Sequence, residues 1–163
     1  MKWETVTSSI GQTVYTLWSN GRKLSTLVFN SNSNAARIEN DKERRVFLIR
    51  EEGFIKNKTV LRNEYGVRIG HAGTDHNEKF IVINDQRYFY CLETESKTQI
   101  TIYKESKDQP LAKCELNIHE NLLAKTGSRM KIAQKTLFSL LFGLCWQLFK
   151  PVENETMHEL NLG

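Results

Sequence analysis

Along most of the chain, apolar and polar residues come in short runs set apart by Asn, Asp and Gly. Residues 13–19 and 23–29 are rich in β-formers and are joined through Asn20-Gly21, a pair that readily takes the left-handed conformations of a tight hairpin. Residues 35–39 and 45–50 flank the polar Asn40-Asp41-Lys42-Glu43, and the runs 54–61, 67–72, 79–83, 87–92, 99–104 and 111–118 continue the series. Turns are predicted at Asn63-Glu64-Tyr65-Gly66, Gly73-Thr74-Asp75, Asn84-Asp85 and Lys107-Asp108-Gln109-Pro110. With residues 3–7, the pattern predicts about eleven strands.

The period then changes. Residues 131–149 read as one helix in which, from Leu137 to Phe149, only Ser139, Gly143 and Gln147 are not large and apolar or Cys. Their spacing of four places them on one narrow stripe with Lys131 and Lys135, and the rest of the circumference is apolar. Residues 137–149 rise only about 20 Å, short of the roughly 30 Å hydrocarbon core of a bilayer. A helix buried in protein is therefore expected, with a membrane anchor as the competing reading.

A repeat runs beneath the strands. Asn20-Gly21-Arg22-Lys23-Leu24 resembles Tyr65-Gly66-Val67-Arg68-Ile69, Asn40-Asp41 matches Asn84-Asp85, and a looser third copy begins at Gln109-Pro110-Leu111. The period of about 44 residues holds four short strands. Eight strands close on an interior that side chains alone fill, so housing a helix takes more of them, and eleven or twelve suffice. The expected fold is mainly β: a closed antiparallel barrel of about twelve strands around a hydrophobic C-terminal helix. Residues 1–150 form this single domain with the helix at 131–149, and 151–163 are an acidic tail.

In element order and terminal helix, residues 3–149 resemble the tubby C-terminal-like superfamily, which includes the LURP-one-related proteins and the phospholipid scramblases. That resemblance implies a non-enzymatic binding module, and the phosphoinositide binding of tubby domains implies a basic barrel surface. The cysteine-rich and calcium-binding segments of scramblases have no counterpart here.

Composition adds modest constraints. Apolar residues make up 39% and charged residues 26% of the 163, and the net charge is +4 with cations and acids interspersed. Cys91, Cys114 and Cys145 lack CxxC spacing and sit among apolar neighbours, so they read as buried thiols. The first ten residues carry no apolar signal-peptide core, and a cytoplasmic location, peripheral to a membrane at most, is the expectation. His71 and His76 flank Asp75 without a third ligand at a recognisable spacing, and neither His119-Glu120 nor His158-Glu159 continues into HExxH. No nucleophile motif or phosphate-cradling glycine loop is present, so neither an enzyme nor a cofactor is expected.

Lys56 and Lys58 fall on alternate positions of one predicted strand, and Arg62 joins their face if the strand continues. They are the candidate phosphate-binding residues, set against the plainer reading of a solvated wall. Tyr88-Phe89-Tyr90 reads as barrel wall and not as a base-stacking platform, and no nucleic-acid partner is expected. Two partner classes follow: an anionic phospholipid surface, and another protein gripping the charged and aromatic wall.

Overall fold

The computed structural model describes residues 1–53, 55, 58–119 and 127–149, with the backbone alone for 127–132. Eleven strands run in order as β1 (Lys2–Ser9), β2 (Gln12–Ser19), β3 (Arg22–Asn30), β4 (Ala35–Glu39), β5 (Arg44–Glu52), β6 (Lys58–Asn63), β7 (Arg68–Asp75), β8 (Glu78–Ile83), β9 (Gln86–Glu93), β10 (Gln99–Tyr103) and β11 (Pro110–Asn117). Each pairs antiparallel with the next, and β1 closes the barrel by pairing with β11 in parallel. The all-antiparallel expectation fails at that seam for a topological reason. In an up-and-down meander with an odd number of strands, the first and last point the same way.

Sharp turns join the strands where the residues tolerate positive φ. Asn20 and Gly21 (φ 50° and 72°) connect β2 to β3, and Asn84 and Asp85 (50° and 62°) connect β8 to β9. The expected turn at Gly73-Thr74-Asp75 is instead part of β7, and the chain reverses at His76 and Asn77 (46° and 65°). Asn, with a short side chain that bonds locally, enters this region more easily than Thr74 would. The predicted run 54–61 begins as a strand only at Lys58; Phe54, Lys56 and Asn57 lie outside the described residues, as do residues 151–163.

α1 (Gly127–Phe149) fills the barrel and starts earlier than the periodicity indicated. Leu140, Leu141, Phe142, Leu144 and Cys145 are buried, and since consecutive helical residues point about 100° apart, protein surrounds the helix on all sides. They pack against inward residues of the wall, among them Leu27 and Phe29 in β3, Ile38 in β4, Phe47 and Ile49 in β5, and Ile100 and Ile102 in β10. Full burial of each such side chain contributes about 1.5–3 kcal/mol. Trp3 Nε1 donates to the Leu140 carbonyl at 3.1 Å, Phe47 meets Phe142 edge-on at 4.5 Å, and Tyr88 stacks on Phe149 at 4.3 Å.

The stripe of Ser139, Gly143 and Gln147 serves the interior. Ser139 Oγ donates to the Thr136 carbonyl at 2.7 Å and so needs no water. Asn40 Nδ2 donates to Gln147 Oε1 at 3.4 Å, beside Trp146 Nε1, which donates to Glu43 Oε1 at 3.0 Å. Gly143 is where the wall comes closest: a Cβ there would lie 2.8 Å from Leu27 Cδ1 and 3.3 Å from Trp3.

Two outcomes follow. Gly143→Leu is expected to destabilise the fold by about 3 kcal/mol, read as a lowered midpoint in urea, because the site has no room and its neighbours are core residues; an unchanged midpoint would mean the helix is loosely held. Cys145 is fully buried, and burial raises the thiol pKa well above its ordinary value. In a Cys91→Ala, Cys114→Ala background its maleimide labelling should be slow and accelerate only with denaturant, whereas rapid labelling of the folded protein would contradict a central helix.

Candidate functional site

With the interior occupied, the outer wall and the rims are the surfaces open to contact. The charges gather most on the wall of β5 to β9. Strand alternation turns Ile49 and Leu61 inward, and hence Arg50, Glu52, Lys58 and Val60 outward. In β7 the outward His71 pairs with Val60 on one side and Val82 on the other. Val60 and Phe80 are apolar yet buried at outward positions. The Arg87 guanidinium lies 4.1 Å above the Phe80 ring, and His71 meets that ring edge-on at 6.1 Å. The consecutive apolar residues Phe80-Ile81-Val82-Ile83 are explained this way: Ile81 and Ile83 face the helix and Phe80 faces outward beneath Arg87 and His71.

Of the three candidate phosphate-binding residues, Lys56 lies outside the described residues. Lys58 is exposed at the start of β6, and no ion pair among the described residues involves it. Arg62 is engaged. Its Nε and Nη2 donate to the two Glu52 carboxylate oxygens at 2.8 and 3.0 Å, and its Nη1 donates to the Gly66 carbonyl at 2.8 Å. These bonds hold the Glu52 carboxyl below the usual carboxylate range. A fork clamped at both ends orders the β6–β7 turn and has little left for a phosphate.

Arg68 is the residue that sequence reasoning missed. It is exposed, no ion pair among the described residues involves it, and with Lys58 and Arg87 it bears on His71. Burial chiefly lowers the His71 pKa, and the three cations lower it further. Arg87 is partly neutralised by Asp75 at 3.3 Å. The available signal was the repeat, in which Arg68 occupies the place of Lys23, two residues after the glycine of the turn.

His71 and His76 do not converge on a metal. His71 packs on Phe80, whereas His76 is exposed in its turn with Nδ1 2.7 Å from Asp75. Among the described residues no three His, Cys, Asp or Glu side chains are placed to hold an ion. A cavity of about 170 Å³ opens between α1 and the β5–β6 wall, lined by Asn34, Ile49, Arg50, Glu51, Thr59 and Lys135 among others.

No protein-family model, no curated protein and no solved structure matches this chain. Among the described residues, no helix is long and apolar enough to cross a membrane. The wall does not resemble that of a membrane-spanning barrel either. Outward positions carry Glu4, Arg37, Arg50, Lys113 and Glu115, where a lipid-facing barrel needs an apolar band about 25 Å tall.

By NMR, His71 is expected to titrate below the ordinary value near 6.5. The imidazole is then neutral in the fold when the unfolded chain's is half protonated, so its contribution to stability is present above pH about 6.5 and is lost as pH falls through the folded value. Arg68→Ala should raise the His71 pKa, and an unchanged value would show that Arg68 does not act on it.

Proposed function

We propose that this domain is a non-enzymatic module that binds an anionic phospholipid surface peripherally through the basic outer wall of β6 to β9. The observation that carries the reading is that Lys58, Arg68 and Arg87 stand exposed on β6, β7 and β9 of one wall, with no ion pair to the first two among the described residues. Near an anionic surface each such cation contributes about 1 kcal/mol, so a few of them suffice for reversible recruitment. The filled interior points the same way, since a barrel packed around its own helix leaves its outer surface for ligands. The resemblance in element order to tubby-like barrels agrees with this reading. Arg62 enters it as the brace of the β6–β7 turn and not as a phosphate ligand.

Flotation with phosphatidylcholine vesicles containing phosphatidylserine tests the proposal. Wild-type protein is expected to float, and to float less as salt rises. Lys58→Glu combined with Arg68→Glu should weaken binding about tenfold or more. Equal recovery of the double variant would remove this wall from the account. A wild type that never floats would end the lipid reading and favour a protein partner.

A further inference from the structure

The two rims of the barrel differ. The helix enters at one rim, where Lys135 sits beside Asn34 and Arg50, and ends at the other, where Trp146 and Gln147 bond Glu43 and Asn40. Antiparallel pairing places the β2–β3, β4–β5, β6–β7, β8–β9 and β10–β11 turns together on this exit rim. After the first four of these turns an arginine opens the strand, Arg22, Arg44 and Arg68 being the first residues of β3, β5 and β7 and Arg87 the second of β9, whereas β11 opens with Pro110. The strands that start from the entry rim open instead with Gln12, Ala35, Lys58, Glu78 and Gln99. Arg44 and Arg87 share their charge with Glu39 and Asp75, and acids Asp41, Glu64 and Asp85 stand at the turn tips. Arg22 and Arg68 are exposed, and no ion pair among the described residues involves either.

The β6–β7 turn adds a second feature. Tyr65 and Val67 are 82% and 57% exposed, although the turn that carries them is firmly held. Asn63 Oδ1 accepts from the Tyr65 and Val67 amides at 3.0 and 2.9 Å, Asn63 N donates to the Val67 carbonyl at 2.9 Å, and Arg62 clamps the Gly66 carbonyl. Gly66, at φ 78°, lets the chain close the turn. An aromatic and a β-branched side chain pushed into water from a braced turn between arginines contribute nothing to the core, and their immobilised mount lowers the entropy lost on contact. Tyrosine is suited to the headgroup layer, with a ring that sheds water and a hydroxyl that keeps it.

We infer that the exit rim is the membrane-facing end of the barrel, with Tyr65 and Val67 entering the headgroup layer of an anionic bilayer while Arg22 and Arg68 lie against the phosphates. The inference rests on the phospholipid reading above and adds an orientation to it, in which Arg68 is the cation of that wall at the bilayer and Lys58, at the far end of β6, stands off it. Ile10 and Ile55, on the entry rim, are also fully exposed; Ile10 stands among Ser8, Ser9 and Gln12, and Ile55 lies between the acids Glu51 and Glu52 and the cation Lys58.

The test uses an environment-sensitive fluorophore on a single introduced cysteine in a Cys91→Ser background, since buried Cys114 and Cys145 are shielded from labelling. Labels are placed at Tyr65→Cys and, on the opposite rim, at Ile10→Cys. With phosphatidylserine-containing vesicles, the label at 65 is expected to shift to the blue and become shielded from an aqueous quencher, and the label at 10 to stay as in water. Separately, unlabelled Tyr65→Ser with Val67→Ser should float about fivefold to tenfold less, while its thermal unfolding matches wild type because both side chains are outside the core. Wild-type flotation with a water-like label at 65, or with a shift at 10, overturns the orientation and leaves the phospholipid reading standing. Absence of wild-type flotation overturns both.

Discussion

The hydrophobic surface of α1 is the constraint on which the rest depends. Leu140, Leu141, Phe142, Leu144 and Cys145 point around the whole circumference, so no single sheet or helix could cover them, and only a closed wall buries every side. The wall has the complementary need. A barrel of eleven strands is too wide for its inward side chains to meet across the axis, and without α1 Phe47, Ile38 and Leu27 would face a void. Each element is stable only with the other. Gly143 marks how tight the fit is, since one added methyl there would touch Leu27.

Filling the interior moves recognition outward, and the wall shows the consequence in its alternation. Inward positions are apolar because they meet the helix; outward positions are released from packing and carry charge. Where an outward residue is aromatic, as at Phe80, Arg87 and His71 cover it, so that the guanidinium lies over the ring and the apolar atoms leave water. Arg87 over Phe80 therefore serves the fold and the surface charge at once. Arg62, clamped to Glu52 and Gly66, has gone over to the fold.

The strands, the terminal helix and the closure were legible because they are written in local periodicity and turn residues: Asn20-Gly21 and Asn84-Asp85 sit where positive φ is needed. The turn at His76-Asn77 was misplaced by a few residues because Gly73 signals a turn by composition, while its actual role is to leave room beside Phe80, whose ring would lie 2.8 Å from any Cβ there. The candidate cations were the least legible. Lys58 and Arg62 share a strand, but which of them is engaged depends on Glu52, a residue of the neighbouring strand whose reach along the wall no spacing rule reveals. Arg68 belongs to the patch through register with β6, a nonlocal fact, although its place in the repeat was visible.

The repeat acquires its meaning from the parity of the strands. A period of four strands is even, so each copy returns the chain to the same rim and the same face, and the glycine turn before Arg22 and that before Arg68 lie on one edge as a matter of topology. Eleven is not a multiple of four, and the third copy, opening at β11, meets β1 in parallel instead of a twelfth strand. A twelfth strand would have run from the entry rim to the exit rim, and that is the direction α1 takes, inside the barrel and not in its wall. The seam it leaves is short: β1 and β11 pair only through Lys2, Trp3 and Glu4. Trp3 sits in that seam, fully buried, and its indole bonds the Leu140 carbonyl at 3.1 Å, so the weakest junction of the wall is fastened to the helix that replaced the missing strand.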